Sequence, residues 1–417
     1  MDPEEIKVDD VVVEESSSEL PINSEAEKNY RIWKKNAPFL YDYLSTHTLL
    51  WPSLSVQFFP DLTTNSGSGE QTVLQRLLLG TFTLGQAIDS ISIVQLSHYL
   101  NLNKNLQINR LDFNQEKEEF ELSVPSINKI NVLQKISHFG DVNKVQYMPQ
   151  KPNVLASANN VGDLVIYERT KHSNFKNDLA PLSVANKVQM TLRGQSSDTN
   201  NEIFAIDWNK QREGVLVSGN MNGDLNVFDI KKYSSASDVL DQHQHIANGS
   251  GVNDIEWFSN HDSLFAVADE TGSVRIYDTR SATSLVAKVQ ASESGINGIS
   301  INKQNPTCFS TGDSRGSIVI WDIRYKELPY STINKHKDSI TQVKWHPRLS
   351  NIVASSSSDT TVQIFDVNKH EQDEGLLFVH AGHMLGVNDF DWSFHDDWLL
   401  SSVADDNSLH VWKPTLR

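Results

Sequence analysis

Residues 317–322 read Ser-Ile-Val-Ile-Trp-Asp, an alternating apolar run that ends in an aromatic residue followed by an acid. Five other stretches have nearly the same form. Together with Trp321, their aromatic residues are Tyr167, Phe228, Tyr277, Phe365 and Trp412. Successive members of this series are 44 to 61 residues apart. A unit of this kind cannot bury both of its faces alone, so the units must stack on one another.

The repeat length and the final aromatic residue are typical of WD-repeat propeller blades, each a four-stranded sheet. Residues 51–97 contain three more predicted strands, at 51–59, 76–83 and 89–96, and can form a degenerate seventh blade. A ring of blades has no open sheet edge if the first strand completes the last blade. We expect the polar segments 100–131 and 170–200 to be loops. The sequence therefore predicts an all-β, seven-bladed WD-repeat β-propeller with an N-terminal α-helix packed on its side.

The N-terminal region precedes the repeats and has a different composition. Residues 1–23 are acidic and serine-rich, which predicts a disordered tail. From the candidate N-cap Ser24, an apolar stripe with 3-4-3-4 spacing predicts a helix over 24–47, ahead of a propeller at 48–417. The stripe contains Tyr30, Trp33, Ala37, Leu40 and Leu44. Because Ile32, Phe39 and Tyr43 lie off this stripe, we expect the helix to contact a second neighbour besides the propeller.

The composition limits the classes of partner. The formal net charge is −17, whereas a phosphate backbone requires clustered Lys and Arg, so no direct nucleic acid partner is expected. An acidic surface attracts basic partners, although excess acid also serves solubility alone. Cys308 is the only cysteine, which is typical of the cytosol or nucleus and excludes an intrachain disulfide. The sequence contains no run of eighteen apolar residues, so no membrane-spanning helix is predicted.

The last blade contains a set of residues that resembles a hydrolase triad. His383, Ser402, Asp406 and Trp412 occupy the positions of the buried hydrogen-bond chain of a WD blade. The spacing favours this structural role, and the sequence has no nucleophile elbow. Phosphate-binding glycine loops, His-Glu-x-x-His and cysteine pairs are also missing. We therefore expect no enzyme activity, no cofactor and no metal.

The stretch from Tyr30 to Asp42, Tyr-Arg-Ile-Trp-Lys-Lys-Asn-Ala-Pro-Phe-Leu-Tyr-Asp, is more specific than the repeats. With Thr46-His47 and 51–54 (Trp-Pro-Ser-Leu), it resembles the N-terminal helix and first strand of histone-binding WD-repeat proteins of the retinoblastoma-binding-protein type. Residues 147–150 (Tyr-Met-Pro-Gln) and 380–383 (His-Ala-Gly-His) extend the resemblance over nearly the whole chain. Within that family, residues 384–389 and 395–398 most resemble the small fungal subunit of chromatin assembly factor 1.

The resemblance implies two binding surfaces. One is a side groove for the first helix of histone H4, with candidate residues Ile32, Phe39, Leu40, Tyr43, Glu371, Asp373, Glu374, Phe378 and Val379. The other is the top of the propeller, which receives the histone H3 tail in the family. Its candidate residues are Pro52, Leu54, Asp141, Asn143, Glu202, Phe204, Asp254 and Asp405.

The function implied by the resemblance is that of a histone H3–H4 chaperone subunit of chromatin assembly factor 1, in replication-coupled nucleosome assembly. Its expected partners are histones H3 and H4 and the larger subunits of that complex, in the nucleus and also in the cytoplasm. A histone-binding subunit of an acetyltransferase or deacetylase complex is the first alternative. The repeats alone would also fit a generic WD-repeat scaffold or a ubiquitin-ligase substrate receptor.

Overall fold

The computed structural model describes residues 24–65, 72–99, 113–114, 119–120, 130–172, 188–194, 201–232, 239–240, 243–281, 284–325, 327–369 and 375–416. The predicted tail at 1–23 lies outside these ranges. Helix α1 covers Ser24–Leu40 and contains Pro38. Among the described residues, α1 is the only α-helix, and it is neither long nor apolar enough to cross a membrane.

Seven four-stranded antiparallel units form the propeller. The strands that close the ring and build the first three blades are β1 (Tyr41–Thr48), β2 (Val56–Asn65), β3 (Thr72–Gly80), β4 (Ser90–Tyr99), the hairpin β5 (Phe113–Asn114) and β6 (Glu119–Phe120), β7 (Ile130–Ser137), β8 (Val142–Met148), β9 (Lys151–Asn159), β10 (Leu164–Glu168), β11 (Met190–Leu192), β12 (Ile203–Trp208), β13 (Val215–Asn220), β14 (Asp224–Asp229), β15 (Val239–Leu240) and β16 (His243–Ala247).

The remaining four blades follow without interruption. Their strands are β17 (Val252–Trp257), β18 (Leu264–Asp269), β19 (Ser273–Asp278), β20 (Leu285–Gln290), β21 (Ile296–Ile301), β22 (Cys308–Asp313), β23 (Ile318–Asp322), β24 (Ser331–Ile333), β25 (Ile340–Trp345), β26 (Ile352–Ser357), β27 (Val362–Asp366), β28 (Leu376–His380), β29 (Val387–Trp392), β30 (Leu400–Ala404) and β31 (Ser408–Pro414).

Blades 2, 4, 5 and 6 each contain four consecutive strands, and β15 adds a parallel fifth strand to blade 2. Blade 3 is formed by β12, β13, β14 and β16, because β15 pairs in blade 2. Blade 1 is formed by β2, β3, β4 and β7, so its fourth strand follows the 100–129 segment. The prediction that 100–131 and 170–200 are loops is therefore wrong at three places. Phe113–Asn114 and Glu119–Phe120 pair as the hairpin β5–β6. Residues 130–131 begin β7, and Met190–Leu192 form the outer strand β11, which pairs with β10.

Strand β1 closes the ring by pairing antiparallel with β31 in blade 7. Tyr41, Tyr43 and Ser45 are buried on one side of β1, while the residues between them are half-buried. This period of two belongs to a strand, because successive side chains of a strand point to opposite faces. The prediction of a helix to residue 47 is wrong after Leu40, since pairing with β31 satisfies the backbone groups of 41–48. Ring closure by the first strand occurs as expected, with 41–48 rather than 51–59.

The core lies between neighbouring blades. Tyr43 from β1 belongs to one apolar cluster with Phe58 and Leu77 of blade 1 and Val403 and Val411 of blade 7. The first strands of the blades contact one another and line a central channel. We call the end of the propeller that carries the connections between blades the top face. Because strands alternate in direction, the turn between the second and third strand of each blade opens on the same face.

Candidate functional site

Helix α1 has two apolar faces of different exposure. Trp33 and Ala37 are 5% and 0% exposed and pack into a cluster formed by blades 6 and 7. On the opposite side, Ile32 and Phe39 are 51% and 56% exposed. These two residues are seven positions apart, about two helical turns, so they lie on one face. The inner face therefore fixes the helix, while Ile32 and Phe39 on the outer face keep more than half of their surface accessible, although strand β6 also contacts α1.

Trp33 is held by a chain of buried hydrogen bonds. Its indole Nε1 donates to the Tyr41 hydroxyl at 2.7 Å, and that hydroxyl lies 2.7 Å from Nδ1 of His380. Because an indole N–H can only donate, the Tyr41 proton is directed to His380. Nε2 of His380 then donates to Nδ1 of His410 at 3.0 Å. The Trp33 and His410 rings are parallel, with centroids 6.1 Å apart.

His380 and His410, the two histidines in this series of hydrogen bonds, are neutral. Burial lowers the pKa of His380 well below its ordinary value, and the neighbouring His410 lowers it further. Burial likewise lowers the pKa of His410, and His383 adds to the effect. The ring nitrogens of His380, His383 and His410 come within 4.8 Å of one another. Both nitrogens of His380 and of His383 are already hydrogen-bonded, so the cluster acts as a structural linkage between α1 and blade 7.

Close packing of Gly382 against Trp33 adds to this linkage. A Cβ atom at Gly382 would lie 2.6 Å from Cζ2 of Trp33. Real Cβ contacts are longer than this, so a side chain at 382 would displace the indole. The backbone at 382 therefore forms part of the socket for the helix.

The predicted groove residues have different positions in the structure. Leu40 ends α1 and is half-buried, as is Val379 on β28. Phe378 is buried between Tyr41 and Trp412, with ring centroids 5.2 and 5.8 Å away, so it forms the floor under the helix. Tyr43 is fully buried in β1 and is not part of an exposed groove. Glu371, Asp373 and Glu374 lie outside the described residues.

In blade 7, the residues of the WD hydrogen-bond chain come together. Trp412 Nε1 donates to Ser402 Oγ at 3.1 Å, so the Ser402 proton is directed to Nε2 of His383, 2.7 Å away. The other His383 nitrogen, Nδ1, is 2.6 Å from Ser408 Oγ, and Ser408 donates to Asp406. Ser408 thus lies between His383 and Asp406, a position that the sequence prediction did not include. Ser402 is 0% exposed, which leaves no path for a substrate to reach its hydroxyl.

The predicted acids of the top face are not equivalent. Asp141 and Asp254 are buried, and their carboxylates are bound within the fold. Oδ1 of Asp141 accepts two backbone N–H groups, and Asp254 pairs with Lys144 at 2.9 Å. Glu202 is half-buried and Asp405 is exposed, although Asp405 accepts a hydrogen bond from Asn388 at 2.8 Å. The available carboxylates of the predicted set are therefore those of Glu202 and Asp405.

The other predicted top-face residues form the rim. Asn143 is buried and donates to the carbonyl of Ile203 in the next blade at 3.3 Å, so its amide links blades 2 and 3. Phe204, Pro52 and Leu54 are half-buried. Each of the three keeps part of its apolar surface accessible.

Five carboxylates of the inner strands link neighbouring blades, a feature that the sequence prediction did not identify. Each accepts a backbone N–H from the first strand of the next blade, at 2.6 to 3.1 Å. The pairs are Asp207 with Trp257, Asp254 with Ile299, Glu256 with Ile301, Asp389 with Val56 and Asp391 with Phe58. Because inner strands have an open edge toward the channel, these bonds satisfy donors that no neighbouring strand reaches. The sequence signal was an acid at the third or fifth position of a first strand.

Burial in the channel changes the acidity of two of these groups. Burial, together with the nearby negative charge of Asp207, raises the pKa of Glu256 to about 7. Burial raises the pKa of Asp391 to about 6. The folded chain therefore binds protons at these sites more tightly than the unfolded chain does.

We expect the unfolding free energy of Glu256→Gln, relative to that of the unmodified chain, to increase as the pH rises from 5 to 8. Because the folded pKa of about 7 exceeds the ordinary value of 4.5, the glutamate's contribution to the unfolding free energy falls as pH rises through this window. A glutamine keeps an oxygen acceptor for the Ile301 N–H and has no charge to bury. Urea unfolding at both pH values measures the difference, with the exposed Glu293→Gln as the control. If the difference in unfolding free energy between Glu256→Gln and the unmodified chain does not change with pH, the raised pKa of Glu256 is contradicted.

The comparisons with known proteins agree with this geometry. Residues 28–100 match the family model of the histone-binding protein RBBP4 and the corresponding component of the CAF1 complex. This range contains most of α1, the closing strand β1 and the first three strands of blade 1. Residues 240–412 match a β-propeller model of the nucleolar protein 10-like N-terminal domain.

A curated relative extends the similarity over the full chain. The sequence is 34% identical to "Histone-binding protein MSI1" of Saccharomyces cerevisiae, over an alignment that covers 95% of this chain and 96% of that protein. Such coverage leaves only 5% of this chain outside the alignment. The chain belongs to the RBBP4/MSI1-type family of histone-binding WD-repeat proteins.

Proposed function

We propose that this chain is a non-enzymatic histone H3–H4 chaperone subunit of chromatin assembly factor 1, which acts in replication-coupled nucleosome assembly. The observation that carries the proposal is the outer face of α1, where Ile32 and Phe39 are exposed on a helix that is fixed from below. An amphipathic helix binds to such a surface through apolar residues at i, i+3, i+4 and i+7. The ligand that fits is the first helix of histone H4.

The side groove is then bounded by the outer face of α1 and by the strand that carries Val379. Leu40 lies at the C-terminal end of the helix, close to the Phe378 floor. Calorimetric titration of the full chain with an H4 first-helix peptide tests this site directly. Absence of binding would contradict the proposed function.

The top face is proposed to bind the basic tail of histone H3 more weakly than the groove binds the H4 helix. Charge-assisted hydrogen bonds from Lys and Arg to carboxylates are the expected contacts. With Asp141 and Asp254 bound within the fold, Glu202 and Asp405 are the members of the predicted set that remain for this role. Two available acids offer fewer contacts than a complete ring of carboxylates.

We place the chain in chromatin assembly factor 1 as part of this proposal. The chain would work in the nucleus, and in the cytoplasm before import, together with the larger subunits of the assembly factor. A histone acetyltransferase or deacetylase complex would use the same groove, so it remains the alternative. Purification of the chain from its own cells, followed by identification of the stoichiometric partners by mass spectrometry, distinguishes these complexes. A generic scaffold or ubiquitin-ligase receptor would not require the exposed outer face of α1.

We expect association with an H3–H4 dimer to slow as the salt concentration rises. The net charge of −17 attracts a basic partner over long range. The Debye length falls from about 10 Å at 0.1 M to about 3 Å at 1 M salt, which removes this attraction. Dissociation depends more on the apolar groove and is expected to change less. Stopped-flow association rates that are equal at low and high salt would show that the acidic surface does not steer the histone.

A further inference from the structure

Three large apolar side chains are exposed close together on the top face of blades 1 and 2. Leu84 and Phe139 are each 67% exposed, and Val161 is 55% exposed. They lie on the β3–β4 turn, the β7–β8 connection and the β9–β10 turn, which all open on this face. We call these three residues the apolar platform. Exposed apolar residues that cluster on a soluble protein mark interaction sites more often than scattered ones do.

The buried carboxylate of Asp141 ties all three of these connections together. Its Oδ1 accepts the backbone N–H groups of Thr83 and Leu84 at 2.9 and 2.8 Å. Its Oδ2 accepts the side-chain amide of Asn160 at 2.9 Å. Asp141, which was predicted to bind a basic tail, therefore positions Leu84 instead.

Asn159 adds further hydrogen bonds between the β7–β8 connection and the β9–β10 turn. Its Nδ2 donates to the carbonyl of Phe139 at 2.8 Å, and its Oδ1 accepts the N–H of Val161 at 3.1 Å. At Gly140, which has φ +74°, a Cβ atom would lie 2.8 Å from Cγ2 of Val161. The backbone next to Phe139 therefore lies against the side chain of Val161.

The backbone at Leu84 is strained. Its φ of +51° is in the left-handed region, which residues with a Cβ rarely adopt. Such strain persists only where surrounding contacts fix it, and it is concentrated at functional sites. Here the Asp141 hydrogen bond fixes it, with the leucine side chain directed outward. A preorganised apolar surface loses less conformational entropy on binding than a flexible loop does.

Two carboxylates lie beside the platform. Asp163 is exposed two residues after Val161. A Cβ atom at Gly162 would lie 2.7 Å from the carbonyl of Asn201, which places the half-buried Glu202 next to the same turn. The surface thus combines an apolar centre with acids at one side. This is complementary to a bulky apolar side chain that has Lys or Arg neighbours.

We propose that the apolar platform binds a bulky apolar side chain of an extended, Lys/Arg-containing segment of a partner protein, with the cationic residues directed to Asp163 and Glu202. The proposal rests on the proposed role of the top face as a receptor for basic tails and adds the ligand feature that selects among them. A purely polar basic tail would leave the platform uncovered. A segment with a leucine at its centre would bury it.

Two labelled synthetic peptides test the platform on the full chain. One has a central leucine flanked by Lys and Arg on both sides, and the other has serine in its place. Fluorescence anisotropy is expected to show about tenfold tighter binding of the leucine peptide, which corresponds to about 1.4 kcal/mol. The variant Leu84→Ser/Phe139→Ser is expected to lose this preference and to keep its affinity for the serine peptide. Leu328→Ser, at an equally exposed leucine of blade 5, is the matched control and is expected to keep the preference.

Equal affinity of the unmodified chain for both peptides would overturn the proposal. Retention of the preference by Leu84→Ser/Phe139→Ser would overturn it as well. An H4 first-helix peptide, titrated into the same preparations, separates this outcome from failure of the proposed function. If the H4 peptide binds and the leucine preference is missing, the platform proposal is wrong and the groove stands. If the H4 peptide does not bind, the groove is wrong, and the two labelled peptides still decide the platform.

Discussion

Replacement of Ile32 and Phe39 by aspartate is expected to weaken binding of the H4 first helix by at least about a hundredfold. Burial of a large apolar side chain in an interface stabilises the complex by about 1.5–3 kcal/mol. Loss of two such contacts amounts to about 3 kcal/mol or more, and each 1.4 kcal/mol is one decade in affinity. Because both side chains are more than half exposed in the free chain, their replacement should leave the fold intact. Calorimetry with the H4 peptide measures the loss.

The matched control for this variant is an aspartate at an exposed leucine far from α1. Leu328→Asp, at a position that is 76% exposed, replaces an exposed apolar side chain by a carboxylate, as each substitution of the pair does. It is expected to bind the H4 peptide as the unmodified chain does. Suppose that Ile32→Asp/Phe39→Asp binds the H4 peptide within twofold of the affinity of the unmodified chain and unfolds in an unchanged transition. The outer face of α1 is then not part of the binding site. Phe378 is a poor choice for this test, since its burial makes truncation a stability change.

Truncation of Trp33 to alanine is expected to lower the unfolding free energy by about 3–5 kcal/mol. This is the usual cost of removing a buried tryptophan or phenylalanine. The variant also leaves the Tyr41 hydroxyl without its donor and opens the stack on His410. Chemical denaturation measures the change. We expect H4 binding to weaken with it, because the same helix carries Ile32 and Phe39.

A second substitution separates packing from hydrogen bonding at this position. Trp33→Phe keeps an aromatic ring against His410 but removes the N–H that donates to Tyr41, so we expect a smaller loss than for alanine. A buried acceptor that loses its partner costs about 1–3 kcal/mol. If Trp33→Ala unfolds at the same denaturant concentration as the unmodified chain, the docking of α1 does not contribute to the stability of the ring.

The repeat predicted six of the seven blades because the third strand of each has a period of two and carries a buried aromatic residue near its end. Trp412 and Phe365 are 0% exposed, as expected of residues that fill the space between blades. The ring-closing strand was harder to locate, because 41–48 contains three apolar positions that fit a continued helix as well as a strand. Pairing with β31, which no local pattern encodes, decides between the two.

The site was predicted less completely than the fold. The two-sided character of α1 followed from the positions of Ile32 and Phe39 relative to Trp33. The resemblance also suggested free acids at Asp141 and Asp254, but both are occupied by contacts from other blades. A single sequence places these acids near strand starts and does not reveal which backbone donors or lysines reach them. The exposed platform at Leu84, Phe139 and Val161 was missed for a similar reason, since three separate turns meet only in the folded ring.

The pairing of β1 with β31 makes the groove depend on blade 7, which is synthesised after the other six blades. Thr415 donates a hydrogen bond to Asp42, 373 residues earlier in the chain. The socket for Trp33 includes His380, Gly382 and His410, so α1 cannot dock while the ribosome still holds these residues. Domains emerge from the ribosome at about 5–20 residues per second, and the N-terminal part must wait for its partner strands. A nascent chain therefore displays the α1 segment without the proposed histone-binding groove, which is complete only after translation has supplied blade 7.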